Sequence, residues 1–187
     1  GTSMTIVREI GYDSELMQLT AVPVSELVEL RGVRIDGRTI GPGKPPKVLA
    51  QHESLVVASG ATARSADFEL NFTLPTSDWQ TTVAALDGSA ALTLSGNAST
   101  PHVVWVTLPG MKTPFDLVLK PHERTIFVRV LTDKVIAEYF VQGGRAVGTF
   151  GLKAGVTASN ATLSVRVDRG QISLHSVSAW AMKCGWV

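Results

Sequence analysis

The sequence predicts an all-β protein: an antiparallel two-sheet β-sandwich of jelly-roll or lectin-like type, with at most one short helix. Three observations carry this. Apolar and polar residues alternate with period two in segment after segment, the pattern of strands with one buried and one wet face. Turn signals rich in Gly, Pro and Asp separate those segments at short intervals. No helical period lies between them, which excludes parallel βαβ units and leaves a sandwich or a barrel.

Taken in order, Thr5–Ile10 and Met17–Ala21 open the chain as strands. Ser25-Glu-Leu-Val-Glu-Leu30 is the helical candidate, with Ser25 placed to cap its start and Gly32 its end. So short a helix needs tertiary support. Val33–Ile35 and Ser54–Val57 follow as strands, separated by Asp36-Gly37 and the loop Gly41-Pro-Gly-Lys-Pro-Pro46. The clearest strand is Ala66–Leu74. It places Ala66, Phe68, Leu70, Phe72 and Leu74 on one face and Asp67, Glu69, Asn71 and Thr73 on the other. Ala90–Leu94, Val103–Leu108 and Phe115–Leu119 come next, marked off by Asp87-Gly88, Gly96-Asn97 and Pro109-Gly110. Ile126, Val128 and Val130 then alternate with Phe127, Arg129 and Leu131. Val135–Val141 and Ala146–Phe150 flank Gly143-Gly144, which reads as a tight turn between strands. Ala161–Val167 and Gln171–Met182 close the chain around Arg169-Gly170, with Ile172, Leu174 and Val177 inward.

A length of 187 residues suits one domain, 1–187, with a real core. Hydrophobic residues at 44% and charged residues at 18% describe an ordered globular chain. A net charge of +1 without basic or acidic blocks gives no electrostatic basis for binding nucleic acid or anionic membrane. No apolar run reaches the roughly 20 residues of a bilayer span, and any signal peptide is expected upstream or removed. His52, His102, His122 and His175 are scattered without ligand spacing, and Cys184 has no Cys partner, so neither a metal nor another cofactor is expected. All three asparagines, Asn71, Asn97 and Asn160, open Asn-x-Ser/Thr sequons, which points to a glycosylating secretory route. Asn71 lies within a strand and must then face outward.

Four segments, in chain order, resemble the C-terminal β-sandwich of glycoside hydrolase family 32, the invertases, inulinases and levanases. Met4-Thr-Ile-Val-Arg-Glu-Ile10 resembles the family's Thr-Ile/Leu-Pro-Arg-Glu-Leu, with Val7 in place of Pro. Leu19-Thr-Ala-Val-Pro-Val-Ser-Glu-Leu-Val-Glu-Leu-Arg31 is similar to its Leu-x-Gln-x-Pro-Val-x-Glu-Leu-x-x-Leu-Arg run. Ser54–Leu70, with Gly60 before the Ala66-Asp-Phe-Glu69 strand, resembles the next segment. Leu131–Arg145, closed by Val177-Ser-Ala-Trp-Ala-Met182, resembles the last strands. Between Leu74 and Glu123 the reading rests on strand pattern alone.

The resemblance implies an accessory sandwich from a secreted or vacuolar fructoside hydrolase or fructosyltransferase. Glycoside hydrolysis needs two carboxyl groups flanking the bond. The family's Asn-Asp-Pro-Asn-Gly, Arg-Asp-Pro and Glu-Cys strings do not occur in this sequence. No catalytic residue is therefore assigned, and the chain alone is not expected to cleave sugar. The implied partner is a catalytic β-propeller of the same enzyme, which the sandwich stabilises or helps to assemble. Two further roles stay open: a fructose- or fructan-binding module, akin to family 66 carbohydrate-binding modules, and a purely structural domain that forms homo-oligomers.

Asp133, Glu138, Tyr139 and Arg145 are the sugar-binding candidates, since carboxylates and Arg make paired, charge-assisted hydrogen bonds and an aromatic ring covers a sugar's apolar face. The structural alternative is that Asp133 caps a turn and Glu138 pairs with Arg129 or Arg145. Trp180 is expected in the core or at a junction with another domain. Trp79, Trp105 and Trp186 are divided between core and exposed sugar platforms, with Trp105 assigned to the core by its apolar strand.

Overall fold

The computed structural model describes residues 5–37, 40–86, 88–151 and 159–183. Asp87, Cys184 and Trp186, singled out in the sequence, lie outside the described residues. In chain order the strands are β1 (Arg8–Asp13), β2 (Gln18–Pro23), β3 (Arg31–Arg34), β4 (Lys47–Leu49), β5 (Ser54–Ser59), β6 (Ser65–Thr73), β7 (Trp79–Leu86), β8 (Ala90–Gly96), β9 (Val103–Thr107), β10 (Phe115–Val118), β11 (Thr125–Asp133), β12 (Ile136–Val141), β13 (Ala146–Gly151), β14 (Thr162–Arg169) and β15 (Ile172–Met182). Short 3₁₀ turns occupy Ser25–Leu30 and Gly60–Arg64.

Every described pairing is antiparallel. One sheet runs β10-β9-β8-β7-β14-β5; the other runs β13-β12-β11-β6-β15-β3, with β4 also paired to β15. A separate ribbon, β1-β2, lies on the outer face of this second, seven-stranded sheet. The protein is thus an all-β sandwich, as the alternation predicts.

The core is made by inward-facing rows. Phe68, Leu70 and Phe72 of β6 are fully buried, as are Ile126, Val128 and Val130 of β11 and Leu163, Val165 and Val167 of β14. Burying each such side chain is worth about 1.5–3 kcal/mol relative to exposure. Phe72 meets Trp79 across the two sheets edge-to-face, with ring centroids 5.6 Å apart. In β15 a bulge between Leu174 and Ser176 shifts the register by one residue. Ile172 and Leu174 therefore share the inner face with Val177 and Ala179 despite their opposite parity.

Four local expectations are corrected. Trp105 stands outward and half-buried, because its neighbours Val104 and Val106 take the inward positions. Trp180 is half-buried on the outer face of the seven-stranded sheet, with Ala179 inward beside it, which removes the core alternative and leaves the junction untouched. Ser25–Leu30 begins after Val24 with no side-chain cap; the Ser25 hydroxyl donates to Glu26 instead. Gly32 does not end that turn but lies inside β3, where a Cβ would stand 2.9 Å from the Ala181 carbonyl oxygen. The sequence reading also missed Gly60–Arg64, β4 and β7, although Trp79, Thr81, Val83 and Ala85 alternate inward along β7.

Candidate functional site

The functional candidates converge on the outer face of the seven-stranded sheet, where residues far apart in sequence meet. Glu138 faces outward from β12 yet is 1% exposed, because the ribbon covers it. Its carboxylate accepts a hydrogen bond from the Ile6 backbone N–H at 2.7 Å and forms an ion pair with Arg8. The Arg8 guanidinium also donates to the Thr149 hydroxyl at 2.6 Å and lies 5.4 Å from the Phe140 ring centroid. The partner of Glu138 is therefore Arg8, and not Arg129 or Arg145 as the strand pattern suggested. A second bond fixes the ribbon: the Ala21 N–H donates to the Gly144 carbonyl at 3.0 Å. Gly144 has φ of 75°, and a Cβ there would overlap the Ala21 carbonyl, so the Gly143-Gly144 turn is shaped to receive the ribbon.

Beside this clasp lies a buried ionic cluster. Asp67 of β6, fully buried, accepts two hydrogen bonds from Arg129 at 2.9 and 2.7 Å and one from Arg31 at 2.7 Å. Arg31 also pairs with Glu69 and stacks over Trp180, 3.7 Å from the ring centroid. Arg34 binds Asp36 through two hydrogen bonds of 2.6 and 2.9 Å and lies 5.6 Å from the same ring. Burial alone would raise the Asp36 pKa, but the hydrogen bonds and charge of Arg34 outweigh it and hold the carboxyl below its ordinary value.

A groove of about 310 Å³ opens where the tip of the ribbon meets the ends of β11 and β12. Asp13, Thr20, Lys120, Glu123, Phe127 and Arg145 line it. Arg145, 3% exposed, donates to Glu123 at 2.5 Å, to the Val118 carbonyl at 2.9 Å and to the Gln142 carbonyl at 3.1 Å. Lys120 bridges Asp13 at 2.8 Å and Glu15 at 3.2 Å. Its hydrogen bond is the main cause holding the Asp13 pKa below the ordinary range. Glu123 is also held low: desolvation opposes its charge, but Arg145, the Lys120 N–H and Gln142 prevail. The groove thus presents two ionised carboxylates, two cations and an aromatic side wall at Phe127.

The structure divides the four sugar-binding candidates. Arg145 lines the groove, whereas Glu138 is held under the ribbon. Asp133 is exposed at the end of β11; its backbone carbonyl, not its side chain, accepts the turn bond from the Val135 N–H at 2.5 Å. Tyr139 points into the core, fully buried, and donates its hydroxyl to the Ala90 carbonyl at 2.5 Å. Burial pushes its pKa strongly upward. Its ring therefore offers no face to a sugar in this structure. Lys120, Glu123 and Asp13 were missed as groove residues, because no motif links a ribbon tip to positions more than a hundred residues away. Among the described residues no group of His, Cys, Asp and Glu is arranged to hold a metal ion.

Comparison with known proteins places this architecture. No family model matches the chain, and no curated protein matches it in sequence. Solved structures do match. Fructan 1-exohydrolase IIa from Cichorium intybus aligns over 94% of this chain and 40% of its own, with a TM-score of 0.71 at 19% identity. The chain shares its fold with part of the GH32 fructosidases. The GH32 β-fructofuranosidase BmSUC1 of Bombyx mori aligns over 96% of this chain and 32% of its own, with a TM-score of 0.58 at 17% identity. Sucrose-6-phosphate hydrolase from Lactobacillus gasseri aligns over 94% and 33%, with a TM-score of 0.57 at 16% identity. This chain therefore spans two-fifths or less of the enzymes whose fold it shares.

Proposed function

We propose that the chain is the non-catalytic β-sandwich of a secreted or vacuolar fructoside hydrolase of the GH32 type, and that it stabilises a catalytic β-propeller of the same enzyme. The observation that carries this reading is the structural match, which takes in 94% of this chain but 40% of a fructan exohydrolase. The markers quoted for the resemblance support it. Arg8 and Glu138 come from two of the matching segments and clasp each other; Arg31, Asp67 and Trp180 come from three and form one cluster. The pKa directions in the groove also favour a non-catalytic role. A general acid needs a raised carboxyl pKa, and Asp13 and Glu123 are both lowered.

The ribbon supplies the docking face of this proposal. Tyr12 lies opposite Leu19 in register, beside Ile10 opposite Ala21. Ile10, Tyr12 and Leu19 are 65%, 63% and 69% exposed, an apolar surface suited to a partner domain.

A second reading, fructose binding, is favoured by the groove: its volume suits one sugar ring, and Arg145 is among its walls. Injecting sucrose, inulin and levan into the purified chain in a titration calorimeter separates the readings. The docking module gives neither sustained nor saturable heat. Saturable heat that fructose competes away, and that Lys120→Met abolishes, supports the groove as a sugar site. Sustained heat from hydrolysis contradicts the non-catalytic reading.

A further inference from the structure

Two of the sequons end in Thr and that of Asn97 in Ser, and the fold places the three differently. Asn97 lies in the turn between β8 and β9, followed by exposed Ala98, Ser99 and Thr100. Its Oδ1 accepts from the Ser99 hydroxyl at 2.9 Å and from the Thr100 N–H at 2.8 Å, so the turn engages the carbonyl half of the amide. Asn160 is exposed in the turn that leads into β14. Asn71 differs. It sits mid-strand in β6, between Phe127 of β11 and Ser176 of β15 in register, and it is half-buried. Its Oδ1 is buried without a hydrogen-bond partner, whereas the sequon hydroxyl is engaged at all three sites, Thr73 with His175, Ser99 with Asn97 and Thr162 with the Leu86 carbonyl, and does not separate them.

We propose that this chain carries N-linked glycans at Asn97 and Asn160 and none at Asn71. The inference rests on the secretory part of the proposed function. In the reaction the Asn side-chain nitrogen forms a bond to C1 of an oligosaccharide carried on a lipid diphosphate. The bond from C1 to the diphosphate oxygen breaks, the lipid diphosphate leaves with the electron pair, and the amide gives up one proton. Nothing is oxidised or reduced. The product must then fit the folded chain. At the two turns the glycan projects into solvent. At Asn71 it would have to rise from between two paired strands, on the sheet face that carries the ribbon.

Asn97 follows β8 and Asn160 precedes β14, and both strands belong to the six-stranded sheet. The strand β6 that carries Asn71 is central in the other sheet. Glycans at the two turns leave the ribbon and its apolar face bare for a protein partner.

The test is expression of the full chain behind a secretion signal in a glycosylating eukaryotic host. Peptide N-glycosidase in ¹⁸O-water then labels each formerly occupied Asn, and peptide mass spectrometry reads all three sites. The expected result is label at Asn97 and Asn160 and unmodified Asn71. Asn97→Gln and Asn160→Gln each remove one glycan step in mass, whereas Asn71→Gln removes none. Label at Asn71, or none at Asn97 or Asn160, overturns the inference. Because the host supplies the secretory route, the outcome reads the sites themselves and is independent of whether the parent is a fructoside hydrolase.

Discussion

At the scale of single residues, charge on the outer face serves cohesion before recognition. Glu138 illustrates this, since both its oxygens are spent on the N-terminal segment through the Ile6 N–H and Arg8. Glu138→Gln keeps the shape but removes the charge opposite Arg8. Removing one member of a buried pair costs about 3–5 kcal/mol, and the 25% exposure of Arg8 softens that to about 2 kcal/mol. Urea unfolding of the variant should show that loss, and an unchanged midpoint would remove Glu138 from the clasp. Sequence could identify Glu138 as a marked residue but not its partner: period two says which face a side chain takes, not which distant element covers that face. Tyr139, adjacent on the same strand, must take the opposite face, and its hydroxyl finds the Ala90 carbonyl in the core.

Among elements, the β1-β2 ribbon is the one whose stability is borrowed. A two-stranded ribbon is marginal alone, and this one has its own pairing plus the contacts to Glu138, Gly144 and Lys120. Gly144→Ala meets both a positive φ and the Ala21 carbonyl, so it should push the ribbon off the sheet. The expected cost is about 2 kcal/mol, combining a left-handed alanine with a broken hydrogen bond. Hydrogen exchange checks it: amides of 8–23 should exchange faster while those of β6 and β11 stay protected. Equal acceleration throughout would show that the ribbon and the sandwich unfold as one unit. Most strands were legible because alternation at Ala66–Leu74, Ile126–Leu131 and Ala161–Val167 is unbroken, whereas β4 and β7 were not read as strands. Trp105 was not, because Val103-Val-Trp-Val106 is apolar at every position and carries no parity. The ribbon's place was not legible either, since its contacts join residues about 130 apart in sequence.

For the whole molecule, the sequence pattern sufficed for two antiparallel sheets around one core. The groove stayed hidden because Asp13, Lys120 and Arg145 come together only when the ribbon tip meets the far ends of β11 and β12. If this sandwich supports a catalytic domain through the ribbon's apolar face, as proposed, a chimera with a fructosidase should depend on that face. The most direct measurement replaces the matching part of the Cichorium intybus fructan 1-exohydrolase with residues 5–183 of this chain. Thermal unfolding is then followed with and without Ile10→Asp. The expected result is a folded chimera that releases fructose from fructan, with a melting temperature lowered by Ile10→Asp, while the same substitution leaves the isolated chain's melting temperature unchanged. An active chimera indifferent to Ile10→Asp, or a catalytic domain that gains no stability from this sandwich, would contradict it.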